Sequence, residues 1–283
     1  MAPMRVHHLN CGTHCPLGGA LFDGTSAGLF ANITTHCLLI EAGNGLVLVD
    51  TGYGVQDVRR PHARLPWLWP GILNPRLREA DTALRQIEAR GFSARDVRHI
   101  VLTHLDFDHA GGIEDFPEAR VHVLEAERTA AEVKHRSFVA NQRYRPTQWD
   151  EVRDWRTYVG GGEPWFGFGA VRGLDGLPPE ILMVPLRGHT IGHAGVAVST
   201  PSGWLLHAGD AYLHRHEMET PYHCPVGMAA YERIMDTDSP ARHANQARLR
   251  RLKESGQAKV FCSHDAEELK ELTSRAQHIA HQR

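Results

Sequence analysis

Twenty of the 283 residues are histidine, the commonest neutral metal ligand and the side chain whose proton exchange best matches pH 7. Four short motifs place histidine or carboxylate groups directly after apolar, strand-sized runs. They are His104-x-Asp106-x-Asp108-His109 after residues 100–102, Gly188-His189 after 181–184, Gly209-Asp210 after 204–207, and Ser263-His264 after 260–262. Strand C-termini on one edge of a sheet converge in space, and sites in layered α/β proteins form there. Seven imidazole and carboxylate groups gathered at that edge can hold two divalent cations. Nitrogen and oxygen donors without thiolate suit Zn, Mn or Fe, in a catalytic site with open coordination positions.

The elements that must carry these residues follow from pattern. Residues 35–41 and 46–49 are apolar runs on either side of Ala42-Gly43-Asn44-Gly45, a hairpin signal, and the second run stops at Asp50-Thr51-Gly52. Residues 55–78 contain Pro61, Pro66, Pro70 and Pro75 with Trp67 and Trp69, which reads as loop beside a pocket. Ala80, Ala83, Leu84 and Ile87 keep helical spacing within a helix over 79–90, stopped by Gly91. Strands at 100–102 and 120–124 precede a helix over 125–134. Residues 135–180, with Trp149, Trp155, Trp165, Phe166, Phe168 and a Gly160-Gly161-Gly162 hinge, read as an irregular insertion that lids a pocket. Strands return at 181–184, 195–199 and 204–207. A helix N-capped by Ser239, with Pro240 at N1, runs to 253, and a strand at 260–262 leads into a closing helix. Two similar β-then-α halves make one domain over residues 1–283.

Taken together, Thr103-His104-x-Asp106-x-Asp108-His109-Ala110-Gly111-Gly112, Asp50-Thr51-Gly52, Gly188-His189-Thr190-x-Gly192-His193, Gly209-Asp210 and Ser263-His264 resemble the metallo-β-lactamase superfamily, in the right order. The resemblance spans about residues 30–270 and implies an α/β fold, a four-layer αββα sandwich with two metal ions between its sheets. It implies His104 and His189 as ligands of a first metal, and Asp108, His109 and His264 as ligands of a second. Asp210 would bridge both, with Asp50 orienting the ligand loop. Asp106 departs from the pattern, which has histidine there. A carboxylate can still ligate, as Glu does in diiron relatives, and it shifts the preference from Zn toward Fe or Mn. The implied chemistry is hydrolysis by a metal-bridging hydroxide, with Asp108 orienting it or accepting its proton and Tyr212 donating to the oxyanion.

Within the superfamily, residues 96–112 look most like the N-acyl-homoserine lactonase-like members, so a small-molecule lactone or other carboxylic ester is the expected substrate. Thioesterases, phosphotriesterases and β-lactam hydrolases share the same metal motifs. An iron-dependent oxidoreductase and a binding protein without turnover are further alternatives that Asp106 raises. His193, His207, His214 and His216 read mainly as structural or solvated positions. The segment from His7 to Cys15 reads as folding back near the pocket rather than as a zinc site, and Cys262 as a buried hydrophobe. Arg248, Arg250 and Arg251 read as a solvated helix face.

Composition narrows the partners. The charge sum of −2 and the absence of a broad basic field argue against nucleic acid and anionic membranes. No apolar run is long enough for a transmembrane helix, and Met1 to His8 lacks an apolar signal core. Five cysteines, an odd number, argue against a disulfide framework, so the expected compartment is the cytosol and the expected state monomer or homodimer.

Overall fold

In the computed structural model, which describes residues 4–43, 45–133, 138–160 and 162–281, the strands build two sheets. The first runs in chain order β1 (Arg5–His14), β2 (Ile33–Ala42), β3 (Gly45–Val49), β4 (Val97–Val101), β5 (Arg120–Leu124) and β6 (Trp155–Tyr158). The second contains β7 (Glu163–Trp165), β8 (Phe168–Gly173), β9 (Ile181–Pro185), β10 (Ala194–Thr200), β11 (Gly203–His207) and β12 (Ala258–Phe261), also neighbour to neighbour. β1 to β3 pair antiparallel and β3 to β6 parallel. In the second sheet β7 to β11 are antiparallel and only β11–β12 is parallel. Parallel steps need crossovers, which helices supply.

The alternation of side chains along the strands separates the layers. Leu38, Ile40, Val47, Val49 and Val101 of the first sheet meet Ile181, Met183, Val196, Val198 and Phe261 of the second in a core between the sheets. Their neighbours Cys37, Leu39, Leu46, Leu48 and Ile100 face the other way, onto Ala83 and Ile87 of the helix Ala83–Glu88. Val184, Leu206 and Val260 likewise pack on Leu249 and Leu252 of the helix Ser239–Glu254. Each central strand is covered on both faces, which is why its run reads as continuously apolar. Helix, sheet, sheet and helix stack in that order: this is the αββα metallo-β-lactamase fold.

Several sequence expectations need correction. Residues 55–78 are not plain loop but carry three short helices, Val55–Arg59, Pro61–Arg64 and Trp69–Leu73; proline is tolerated in a first turn, where its missing donor costs nothing. The helix over 79–90 is a 3₁₀ turn, Glu79–Asp81, then Ala83–Glu88, divided by Thr82, whose hydroxyl caps Arg85 N. The cap of the 239–253 helix is Asp238, which accepts from Ala241 N, so Pro240 lies one position further in. The described residues of this stretch, 138–160 and 162–180, carry regular elements where an irregular insertion is expected. They form the helix Phe138–Arg143 and the strands β6, β7 and β8 at the sheet edges, with Trp149, Trp165 and Phe168 buried in the cores. Short edge strands lose the alternation that marks central ones. The helix Val226–Met235 had no sequence signal because Pro225 and Gly227 mask its start. Asn44 of the hairpin turn, Lys134 at the expected helix end and Gly161 of the hinge lie outside the described residues. Among the described residues, no helix is long and apolar enough to cross a membrane.

Candidate metal centre

β3 is followed directly by Asp50, whose φ of 55° is rare for a residue other than glycine. The bend turns its carboxylate onto the loop that follows β4. Asp50 Oδ1 accepts from Thr103 N at 2.8 Å, and Oδ2 accepts from Thr103 Oγ1 at 2.8 Å and His109 Nδ1 at 2.9 Å. Having donated to Asp50, the Thr103 hydroxyl accepts from His104 Nδ1 at 2.9 Å. Across the sandwich, His264 Nδ1 donates to the Thr34 carbonyl at 2.7 Å. In all three rings the Nδ1 proton is committed, so Nε2 presents a lone pair, the tautomer a metal requires.

Those lone pairs converge on Asp210. Its Oδ2 lies 3.0 Å from His264 Nε2, 3.5 Å from His189 Nε2 and 3.9 Å from His104 Nε2, and its Oδ1 lies 3.4 Å from His109 Nε2. Ligand atoms within 4.8 Å of one another form three overlapping groups: His109, Asp210 and His264; His14, Asp108 and His264; and His104, His189 and Asp210. Asp108 Oδ2 sits 3.8 Å from His264 Nε2 and 3.6 Å from His14 Nε2. Buried His104 Nε2 and Asp210 Oδ1 have no hydrogen-bond partner, and an unmet buried polar atom costs about 1–3 kcal/mol. A cation against Asp210 Oδ1 removes that cost there, so the donor set fits a divalent metal.

Electrostatics point the same way. Burial opposes charge on His109, yet Asp210 and Asp108 hold its pKa well above the usual imidazole value. His264 is raised too, against burial, by Asp210. Burial works against the Asp210 carboxylate, but His264 and His109 keep its pKa well below the ordinary range. Around His109 and His264 the carboxylates leave a negative potential that a cation neutralises, whereas burial and Arg143 push His189 below the usual imidazole value.

Three further residues hold the loops in register. His193 donates through Nδ1 to the Leu186 carbonyl at 3.1 Å and accepts from Asp210 N at 2.8 Å, so it fixes the backbone of the bridging carboxylate. That contact requires a residue without Cβ at position 209, where φ is 55° and a Cβ would stand 2.6 Å from His193 Nε2. Glu127, fully buried, accepts from Leu105 N, Thr190 Oγ1, Gly192 N and Tyr144 Oη, and so clamps the two ligand loops together. Sequence reading missed Glu127, because a lone glutamate on a helix carries no motif. His14, from the segment expected to fold back near the pocket, reaches the centre at the end of β1 and bonds Tyr53 Oη at 2.8 Å.

Two expected site residues are placed differently. Asp106 faces His189 Nε2 at 3.1 Å, but its carboxylate is the partner of a buried arginine, Arg143, rather than a free ligand. Tyr212 is fully buried among Val184, Leu206 and Leu249, and its hydroxyl donates to Glu268 at 3.0 Å. The strand-end turn after Asp210 sends the ring into the core, with its hydroxyl on Glu268 rather than on the metal-centre residues. Of the remaining histidines, His207 donates to the His36 carbonyl at 2.7 Å, and His214 contacts the Asp23 carbonyl at 3.2 Å. Trp69 is buried while Trp67 is exposed, and Cys262 is a buried free thiol. Another acid-rich group, Glu217, Cys224 and Glu232, is filled by Arg242, which bonds Glu232 at 2.9 Å and Asp236 at 2.8 Å. It is an ion-pair network.

Comparison with known proteins agrees with this geometry. The Metallo-beta-lactamase superfamily profile matches residues 33–264, and the chain belongs to that superfamily. It is 42% identical over 265 residues to a "probable metallo-hydrolase" of Mycobacterium tuberculosis, covering 93% of this chain and 81% of that one. It is 25% identical over 262 residues to an N-acyl homoserine lactonase of Bacillus cereus, covering 90% and 93%. Its fold matches an N-acyl homoserine lactone hydrolase solved with N-hexanoyl-L-homoserine at the catalytic metal center, with a TM-score of 0.72 at 21% identity over 96% and 97% of the two chains. A dizinc quorum-quenching lactonase matches with a TM-score of 0.63 at 17% identity, covering 92% and 87%. The chain is a metallo-hydrolase of this superfamily.

Proposed function

We propose that the protein hydrolyses a carboxylic ester, a lactone first among them, at the centre built around Asp210. The observation that carries the reading is the convergence of imidazole Nε2 lone pairs on one carboxylate, each ring held by a hydrogen bond at Nδ1. Divalent cations bound there, zinc by preference for this donor set and iron or manganese as the alternatives, supply Lewis acidity and a water acidified toward neutral pH. Asp108, whose Oδ2 meets the surrounding imidazoles only at 3.6–3.9 Å, is the residue we assign to orient that water and take its proton. Burial, and after it the charges of Asp108, Asp106 and Asp210, push the phenol of Tyr231, on the helix Val226–Met235, well above its usual pKa, so it stays a proton donor close to the centre. We assign its phenol, in place of Tyr212, to donate to the carbonyl oxygen as charge develops there.

The apolar cluster next to Asp108 in the fold suits an apolar acyl group. Tyr53, Leu65, Trp69, Leu73, Phe107 and Met235 form one cluster, with Tyr231 packed against it. The lactonase names of relatives at 25% identity favour lactones over thioesters, phosphotriesters and β-lactams. All five cysteines are free, as the cytosol we propose for it requires. Metal analysis of the purified protein, coupled to a proton-release assay across lactones, esters, thioesters, phosphotriesters and β-lactams, tests the reading. Lactone or ester turnover abolished by chelation and restored by metal is expected; turnover indifferent to chelation, or oxygen consumption with iron bound, overturns it. Tyr231→Phe is expected to lower kcat by about a hundredfold with KM little changed, the loss of one oxyanion donor.

A further inference from the structure

Arg143 ends the helix Phe138–Arg143 and is 2% exposed. Its Nη2 lies 2.8 Å from Asp106 Oδ2 and 2.9 Å from His189 Nε2, and its Nε lies 2.7 Å from Asp106 Oδ1. Nη1 donates to the carbonyls of His189 at 3.0 Å and Met235 at 3.2 Å, and contacts Thr237 Oγ1 at 3.4 Å. A guanidinium has donors only and does not deprotonate in proteins. The Nη2 contact therefore occupies the His189 Nε2 lone pair, the atom a first-position metal needs. Asp106 stands where the superfamily resemblance has a neutral imidazole, and the arginine neutralises it.

We propose that the Asp106–Arg143 pair takes the place of the first metal, so that the protein binds one divalent cation tightly, through His109, Asp210 and His264 with Asp108 beside them. The guanidinium is then the permanent second cation of the centre. A metal entering between His104, His189 and Asp210 has to strip Arg143 from His189 and remain beside a fixed positive charge in a buried, weakly screened place. Among the described residues, the pocket of His109 and His264 has no such occupant: its charged neighbours there are Asp108, Asp210 and, behind His109, Asp50. The proposal rests on the centre being metal-binding and assigns its stoichiometry.

The test titrates the full-length, metal-stripped protein with Co(II), following visible absorption and, by equilibrium dialysis, bound metal per chain. One tight equivalent is expected, with any second at least about a hundredfold weaker. The double variant Asp106→His/Arg143→Gln restores the imidazole and removes the cation, and should tighten the second equivalent at least about tenfold while leaving the first unchanged. Arg143 also braces two loop carbonyls, so His189→Ala provides a readout that leaves the arginine in place. It should keep the tight equivalent, whereas His264→Ala loses it. Two equivalents of comparable affinity in the unaltered protein, or loss of one of two tight equivalents in His189→Ala, overturns the proposal while sparing the metallo-hydrolase reading. No binding at all removes both.

Discussion

Two groups of histidines lie close together in this sandwich and behave oppositely. At the centre, His109 and His264 face Asp210 and Asp108, and their pKa values are raised against the pull of burial. Between the sheets, His8, His36 and His207 pack edge and face against Phe261, with ring centroids 4.9–5.6 Å from it. There burial, reinforced by the neighbouring imidazoles, pushes His8 down to about 3 and His36 well below the usual value. His207 donates through Nε2 to the His36 carbonyl and accepts from Gly209 N at Nδ1, so both ring nitrogens are spent. The residue type is the same; the neighbour decides. Carboxylates make an imidazole cluster a cation site, and aromatic rings make it a neutral, hydrogen-bonded part of the core.

The sharpest break of this contrast is Asp210→Ala. It removes the carboxylate around which Nε2 of His104, His109, His189 and His264 gather, and metal loss with a rate fall of more than about a hundredfold is expected. Metal content and turnover measured on the same sample check it; intact activity would refute the assignment of the centre. Asp50→Asn comes next. One of its two amide atoms would present N–H to donors it now accepts from, the Thr103 backbone or the Thr103 hydroxyl and His109. Metal affinity should weaken by about 10–100-fold with the fold intact, as competition with a chromophoric chelator would report.

How far the sequence reveals these two populations depends on local order. His104, Asp108, His109, His189, Asp210 and His264 were legible because each follows an apolar strand, and strand ends on one sheet edge meet. The layers were legible too, since central strands covered on both faces are continuously apolar. His8, His36 and His207 carry no motif, because what neutralises them is a neighbour on another strand or in the other sheet. Arg143 and Glu127 were hidden for the same reason: their partners are 37 and 63 residues away in sequence. Asp106 could be seen as a departure, but the arginine that answers it lies in a stretch that read as irregular. The edge strands β6 to β8 were missed because short half-covered strands show no clean period.

The inter-sheet group gives the third prediction, on stability rather than metal. A histidine whose folded pKa lies below its unfolded value binds fewer protons in the native state between the two. Its contribution is complete above about pH 6.5 and is lost as the pH falls toward the folded value, about 3 for His8. Each such ring adds up to about 1.4 kcal/mol of stability per pH unit in that window. His36→Phe should flatten the slope of unfolding free energy between pH 4 and 6.5, relative to the unaltered protein, and leave metal content unchanged. An unaltered slope, or lost metal, would dissolve the distinction between the two groups.

The smallest effect on turnover is expected from Tyr212→Phe, which asks whether two residues' distance from Asp210 in sequence makes a side chain part of the centre. The phenol donates to Glu268, which also accepts from Cys262 N at 2.9 Å and pairs with Lys253 at 3.3 Å. Losing one donor to a buried carboxylate that keeps two others should lower stability by about 1–2 kcal/mol and leave kcat within about twofold. A tenfold fall in kcat at unchanged melting temperature would mean that the ring leaves the core during turnover, and would return to Tyr212 the oxyanion role assigned to Tyr231.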